Sequence, residues 1–117
     1  MYKKFSIKDK NISDFKKGSF VLRFLNFTAP FKSETEVHKK INDVYIVYSG
    51  KAKVLVSDKY AGGKFIEPEE VRGCEIIESQ IVEIESGDVL LIPANTAHQL
   101  IVEEGEIIQV IAKLPEE

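Results

Sequence analysis

The chain has 117 residues, a formal net charge of −3, 44% hydrophobic and 30% charged residues, enough for one hydrophobic core and too little for two, so one domain over 1–117 is expected. That balance excludes a disordered polymer, and the scatter of Lys, Asp and Glu leaves no basic stripe for nucleic acid. MYKKFSIKDKN has the charges of a signal peptide with no apolar stretch behind them, and no run approaches the roughly 18 apolar residues of a spanning helix, so a cytoplasmic protein without a membrane partner is expected.

In chain order, Ser6 to Phe15 predicts a turn or two of helix. FVLRFLNF at 20–27 follows, with apolar groups on both faces of a strand. Coverage on both faces points to a homodimer through this segment, with Phe20, Phe24 and Phe27 as core or interface groups. VYIVY at 44–48 and KVLV at 53–56 read as two strands separated by a Ser49-Gly50 turn. Residues 57–73 are the least patterned and predict a long loop or an excursion beyond the barrel, with one more helical turn from Glu67 to Arg72 entered through Pro68. Strands at 76–85, 89–92 and 107–112 complete an all-β chain of sandwich or barrel type with at most one or two short helices. Cys74 is the single cysteine, so the chain suits a reducing compartment, and its thiol reads as inert.

The two histidines, His38 and His98, are the informative residues. A histidine just past a strand end serves as metal ligand, general base or half-buried bystander. Strand alternation puts Glu36 and His38 on one face and Asp43, Tyr45 and Val47 on one face of the next strand, with a short KKIN bend to bring the two together.

EVHKKINDVYIVYSG (36–50) and GDVLLIPANTAH (87–98, its pattern running on to 102) resemble the two signature motifs of the cupins, double-stranded β-helix (jelly-roll) barrels. Glu36, His38, Asp43 and Gly50 fall on the marked positions of the first motif; Gly87, Pro93, Asn95, His98 and Val102 fall on those of the second. Glu36, Asp43, Asn95 and Val102 stand where the family pattern has His, Glu, Gly and Asn. The resemblance implies a divalent-metal site of His38, His98 and Asp43, with Glu36 as a fourth or outer group. Two imidazoles and a carboxylate suit Fe(II) and also accept Mn, Ni or Zn.

It further implies a small polar metabolite in the barrel, handled by a metal-dependent enzyme of oxygenase, isomerase or decarboxylase type with Glu36 or Tyr45 moving protons. The alternative is a metal-free, non-catalytic binding or sensing module. Pairing into dimers is also a habit of small cupins. Arg23 and Arg72 are the only bidentate forks for an anion, and neither lies in a motif, so the sequence does not decide for or against an acidic substrate. At least eight strands are expected, with VYIVY and VLLIP in one cavity wall and the histidines meeting near one mouth.

Overall fold

The structure is a computed structural model that describes residues 1–9 and 12–116. In chain order its strands are β1 (Phe15–Lys17), β2 (Phe20–Thr28), β3 (Phe31–Lys32), β4 (Glu36–His38), β5 (Ile41–Ser57), β6 (Lys59–Ala61), β7 (Lys64–Glu67), β8 (Glu70–Arg72), β9 (Glu75–Ile77), β10 (Gln80–Glu85), β11 (Val89–Ile92), β12 (Ala97–Val102) and β13 (Glu106–Pro115). No helix occurs among the described residues, and none is long and apolar enough to cross a membrane.

The strand β5 organises the molecule, because its two halves belong to different walls. Residues 41–50 pair with β13 on one side, and residues 43–46 pair with β11 on the other. Residues 51–57 pair instead with β10 and β12. The first wall continues from β13 to β2 and β1, the second from β12 to β4, β8 and β7, with β3 beside β12 as well. The result is an antiparallel sheet curled on itself, and VYIVY lies beside VLLIP as expected.

The expected turn at Ser49-Gly50 is a bend within one strand. The register on β13 slips between Ile108 and Gln109, leaving Tyr48 out of the pairing. Such a bulge moves the inward face by one residue: Asp43, Tyr45 and Val47 are buried before it, Ala52 and Val54 after it. Gly50 takes φ 86° at the bend, and a Cβ there would lie 1.8 Å from the Glu106 carbonyl oxygen, so only glycine fits.

Both helix expectations give way to strands. At 6–15, Lys10 and Asn11 lie outside the described residues; the remainder makes one turn, closed by the Asp9 amide on the Ser6 carbonyl, and then enters β1 at Phe15. At 67–72 the chain forms a hairpin, β7 and β8 joined by Pro68-Glu69, because Glu70 and Arg72 alternate onto the face of Glu36 and His38 rather than following a helical period. The expected long loop at 57–73 therefore holds β6, β7 and β8.

Two cores result. The interior one contains Tyr45, Val47, Val54, Ile84, Leu100, Val102, Ile107 and Ile111. A smaller one, outside the second wall, joins Val37, Val71, Cys74 and Ala97 under Tyr60 and Ile76 of the β6–β9 pair. Strands β4 and β12 are thus packed on both faces, which holds rigidly whatever they carry inward. The two-sided pattern of β2 has a similar origin: Leu25 and Phe27 pack on the interior core, while the Phe24 ring meets Phe5 with centroids 5.2 Å apart.

Candidate metal centre

Three adjacent strands put His98, Glu36 and Arg72 in one row, and the next row of β4 and β8 pairs His38 with Glu70. Asp43 enters from the other wall. His98 is set by the corner after β11: Asn95 adopts φ 66°, its amide donates to the His38 carbonyl at 2.8 Å, and the Ala94 amide donates to Asn42 Oδ1 at 2.9 Å. The corner that starts β12 is therefore tied to the end of β4, which fixes one histidine relative to the other. Their ring centroids lie 5.3 Å apart.

Each imidazole divides its nitrogens. His38 Nδ1 lies 2.9 Å from Glu70 Oε1, and His98 Nδ1 3.0 Å from the Thr96 carbonyl. Acceptors there favour the tautomer with the proton on Nδ1 and the lone pair on Nε2. Each carboxylate divides its oxygens in the same sense: Asp43 Oδ1 takes Lys113 Nζ at 3.0 Å, and Glu36 Oε1 lies 3.5 Å from Arg72.

The inward atoms converge. His38 Nε2 is 3.2 Å from Glu36 Oε2 and 3.4 Å from Asp43 Oδ2; His98 Nε2 is 3.7 and 3.6 Å from the same oxygens. None of these contacts has both the distance and the alignment of a hydrogen bond, so two buried ring nitrogens have no hydrogen-bond partner. Glu36, His38 and His98 offer ligand atoms all within 4.8 Å of one another, a set able to hold a metal ion.

Asp43, one methylene shorter than the glutamate of the cupin pattern, still reaches both imidazoles. Glu36, expected as a fourth or outer group, stands as close to His38 as Asp43 does.

Electrostatics follow from this packing. Burial would raise the Glu36 and Asp43 carboxyls, but the imidazoles hold Glu36 well below the usual carboxylate range, and His38 with Lys113 lowers Asp43. Burial disfavours a charged His38, yet Asp43 and Glu36 override it and raise its pKa to about 9. Burial, then the Asp43 and Glu36 charges, push the Tyr45 hydroxyl well above its ordinary value, so it stays a neutral donor. Tyr45 lies edge-on to His98, centroids 6.5 Å apart.

Beside the cluster is a cavity of about 380 Å³, lined by Glu36, Asp43, His98 and Tyr45 on one side and by Leu25, Phe27, Phe31, Ile111 and Arg23 on the other. Comparison with solved structures identifies the architecture. The chain is similar to an uncharacterized conserved protein with a double-stranded β-helix domain from Klebsiella pneumoniae (TM-score 0.65, 16% identity, covering 100% of this chain and 93% of that one). It is similar also to a Cupin 2 conserved barrel domain protein from Salinispora arenicola (0.57, 12%, 89% and 66%). This chain has the cupin fold. It also resembles the DMSP lyase DddQ from Ruegeria pomeroyi (TM-score 0.59, 12% identity, 81% of this chain), of which it spans 38%. No protein-family model matches the chain, and no curated protein matches it in sequence.

Sequence reasoning missed Glu70, Arg72 and Lys113 as the groups that orient the cupin cluster. The signal for the first two was present in the i, i+2 spacing of Glu70 and Arg72, which the expectation of a helix concealed. For Lys113 no local signal exists, because it meets Asp43 across a sequence separation of 70.

Proposed function

We propose that the chain binds a divalent metal ion through His38, His98, Glu36 and Asp43 and acts on a small polar metabolite in the adjoining cavity. The observation that carries this reading is the division of labour in the cluster: outward atoms are tied to Glu70, the Thr96 carbonyl, Arg72 and Lys113, while Glu36, His38 and His98 offer ligand atoms within 4.8 Å of one another, Asp43 Oδ2 lies 3.4 and 3.6 Å from the two ring nitrogens, and both nitrogens lack hydrogen bonds. Outer partners that fix tautomer and carboxylate orientation are what a ligand set requires before an ion arrives. Mixed nitrogen and oxygen donors suit Fe(II), Mn(II), Ni(II) or Zn(II).

A bound ion supplies Lewis acidity toward a carbonyl or carboxylate oxygen. Tyr45, held protonated, donates a hydrogen bond or proton from the cavity wall, and Glu36 and Asp43, held ionised, stay available as anionic donors. Oxygenase, isomerase, decarboxylase and lyase chemistry all fit such a site; the similarity to a DMSP lyase supports small-molecule chemistry on this fold without supplying a substrate. Elemental analysis and titration with each of the four ions test the proposal. One ion per chain is expected, and no binding of any of them overturns it.

A second reading has its own support. With its pKa raised to about 9, His38 is an imidazolium at neutral pH and, together with Arg72 and Lys113, offsets the two carboxylates without a metal. In that case the cavity serves a binding or sensing module, and added metal changes nothing in its ligand affinity.

The expected homodimer and cytoplasmic location stand as proposals too. Ile46, Tyr48, Val89 and Leu91 are exposed on β5 and β11, an apolar surface in addition to that of β2. Light scattering at twice the chain mass supports pairing, and a clean monomer at micromolar concentration rejects it.

A further inference from the structure

We propose that the cavity takes a small carboxylate with a short apolar stem, its carboxylate gripped by Arg23 and its other end directed to the metal centre. The position of the stem's far end rests on the metal reading above; the role of Arg23 does not.

Two of the cations that line the cavity are already used. Arg72 serves Glu70 and Glu36, and Lys113 serves Asp43. Arg23 also lines the cavity, but it is held only through Nε, by Asp14 Oδ2 at 3.1 Å, in a pair about half exposed to solvent. Among the described residues its guanidinium has no other hydrogen-bond or ion-pair partner. Asp14 in turn accepts the Phe24 amide at 3.3 Å, so the arginine is anchored while its terminal N–H groups stay available. An exposed pair of this kind is worth little and yields readily to a better-placed carboxylate, and a guanidinium fork is the side chain best matched to that group. Lys32 and Glu34, which also line the cavity, carry opposite charges.

Sheet geometry gives the length. Arg23 is opposite Ile111 on β13, and Ile111 is opposite Tyr45 on β5. Two strand spacings separate Arg23 from Tyr45, about 10 Å between backbones, and Asp43 follows two residues along the same face. Inward-pointing side chains shorten this gap to roughly the length of a five- or six-atom molecule. Ile111 is the apolar residue between them, and Leu25 with the Phe27–Phe31 pair, whose rings stack with centroids 4.0 Å apart and planes 7° from parallel, extends the apolar lining on the side away from Asp43. A cavity of about 380 Å³ is at the small end for a ligand site. Charge at one end, a metal centre at the other and hydrocarbon between them describe a short-chain carboxylate.

Pentanoate and pentanamide are the probes, titrated calorimetrically into metal-free and Zn(II)-loaded protein. In the metal-free form, where no zinc competes for the carboxylate, wild type is expected to prefer pentanoate by about tenfold or more. Arg23→Gln should reduce that preference to within about twofold while zinc stoichiometry and circular dichroism are unchanged. Asp14→Asn, which frees the guanidinium, should strengthen pentanoate binding, and it tests the same idea should Arg23→Gln fold poorly. Equal affinity for the two probes in wild type, a preference that survives Arg23→Gln, or weaker pentanoate binding by Asp14→Asn overturns the proposal. Absence of zinc binding with an intact Arg23-dependent preference instead rejects the metal reading alone.

Discussion

The two ends of the barrel interior are built from the same alternating strands and differ in how they treat polar groups. At the closed end Val47, Val54, Ile84, Val102 and Ile107 pack as hydrocarbon around a single polar side chain, Gln109, which is fully buried and has no hydrogen-bond partner for either amide atom. At the mouth, His38, Asp43 and His98 are also buried, yet every outward atom has a partner and only the inward nitrogens are left over. An isolated unsatisfied group looks like tolerated cost, whereas leftover donors that converge look like a site. The comparison separates stability from function in one interior.

Gly50 joins the two walls that both ends share, so breaking it should break both ends. Gly50→Val places carbon against the Glu106 carbonyl, where a Cβ would lie at 1.8 Å, and forces a branched residue to φ 86°. Loss of more than about 4 kcal/mol, or failure to fold, is expected in urea denaturation. A stable variant would mean that the bend is not the constraint claimed for it.

At the mouth alone, His98→Ala and His38→Ala should abolish stoichiometric metal while circular dichroism stays native. Glu36→Ala and Asp43→Ala should each weaken binding by about 100-fold or more. Asp43→Ala carries a second effect, because it leaves Lys113 without its carboxylate: the metal-free protein should lose on the order of 3 kcal/mol. Equal metal affinity for wild type and Glu36→Ala would return Glu36 to an outer role.

How much of this was legible in advance follows from which contacts are local. The strand period, the Gly87 to His98 motif and the left-handed Asn95 are features of short segments, and the barrel and the meeting of the histidines could be read from them. Tyr48 looked like a strand end because a bulge has no sequence mark distinct from a turn when Ser-Gly is present; only the partner strand reveals that pairing continues. Arg72 and Lys113 acquire their meaning from β4 and β5, and the hairpin at Pro68 looks helical because proline suits the first position of both.

The pH dependence sharpens the contrast, since only the mouth titrates. His38 has its pKa raised to about 9 from 6.5, so its contribution to metal-free stability is fully present below about pH 6.5 and is lost as pH rises through about 9. Up to about 3 kcal/mol is at stake. Glu36 and Asp43, both lowered, act in the opposite sense and lose their contribution as pH falls below the ordinary carboxylate range. Metal uptake must displace the His38 proton, so affinity should rise with pH up to about 9 and a weakly buffered solution should acidify on adding Zn(II). Metal-free stability that is flat from pH 6 to 9 would show that His38 is not charged.

The smallest effect is expected at the closed end. Gln109→Met keeps the volume and flexibility of the side chain and removes two buried polar atoms that no group of the described chain satisfies. An unpaired buried amide costs on the order of 1–3 kcal/mol, while the shape is preserved. The variant should therefore be neutral or about 1 kcal/mol more stable in urea, with metal and pentanoate binding unchanged, since Gln109 lies among Ile107 and Ile111 on β13, away from the ligand atoms. Destabilisation by more than about 1 kcal/mol would show that the amide has a partner in solution that the chain does not itself provide. The closed end would then be a second polar site, and the contrast between the two ends would fail.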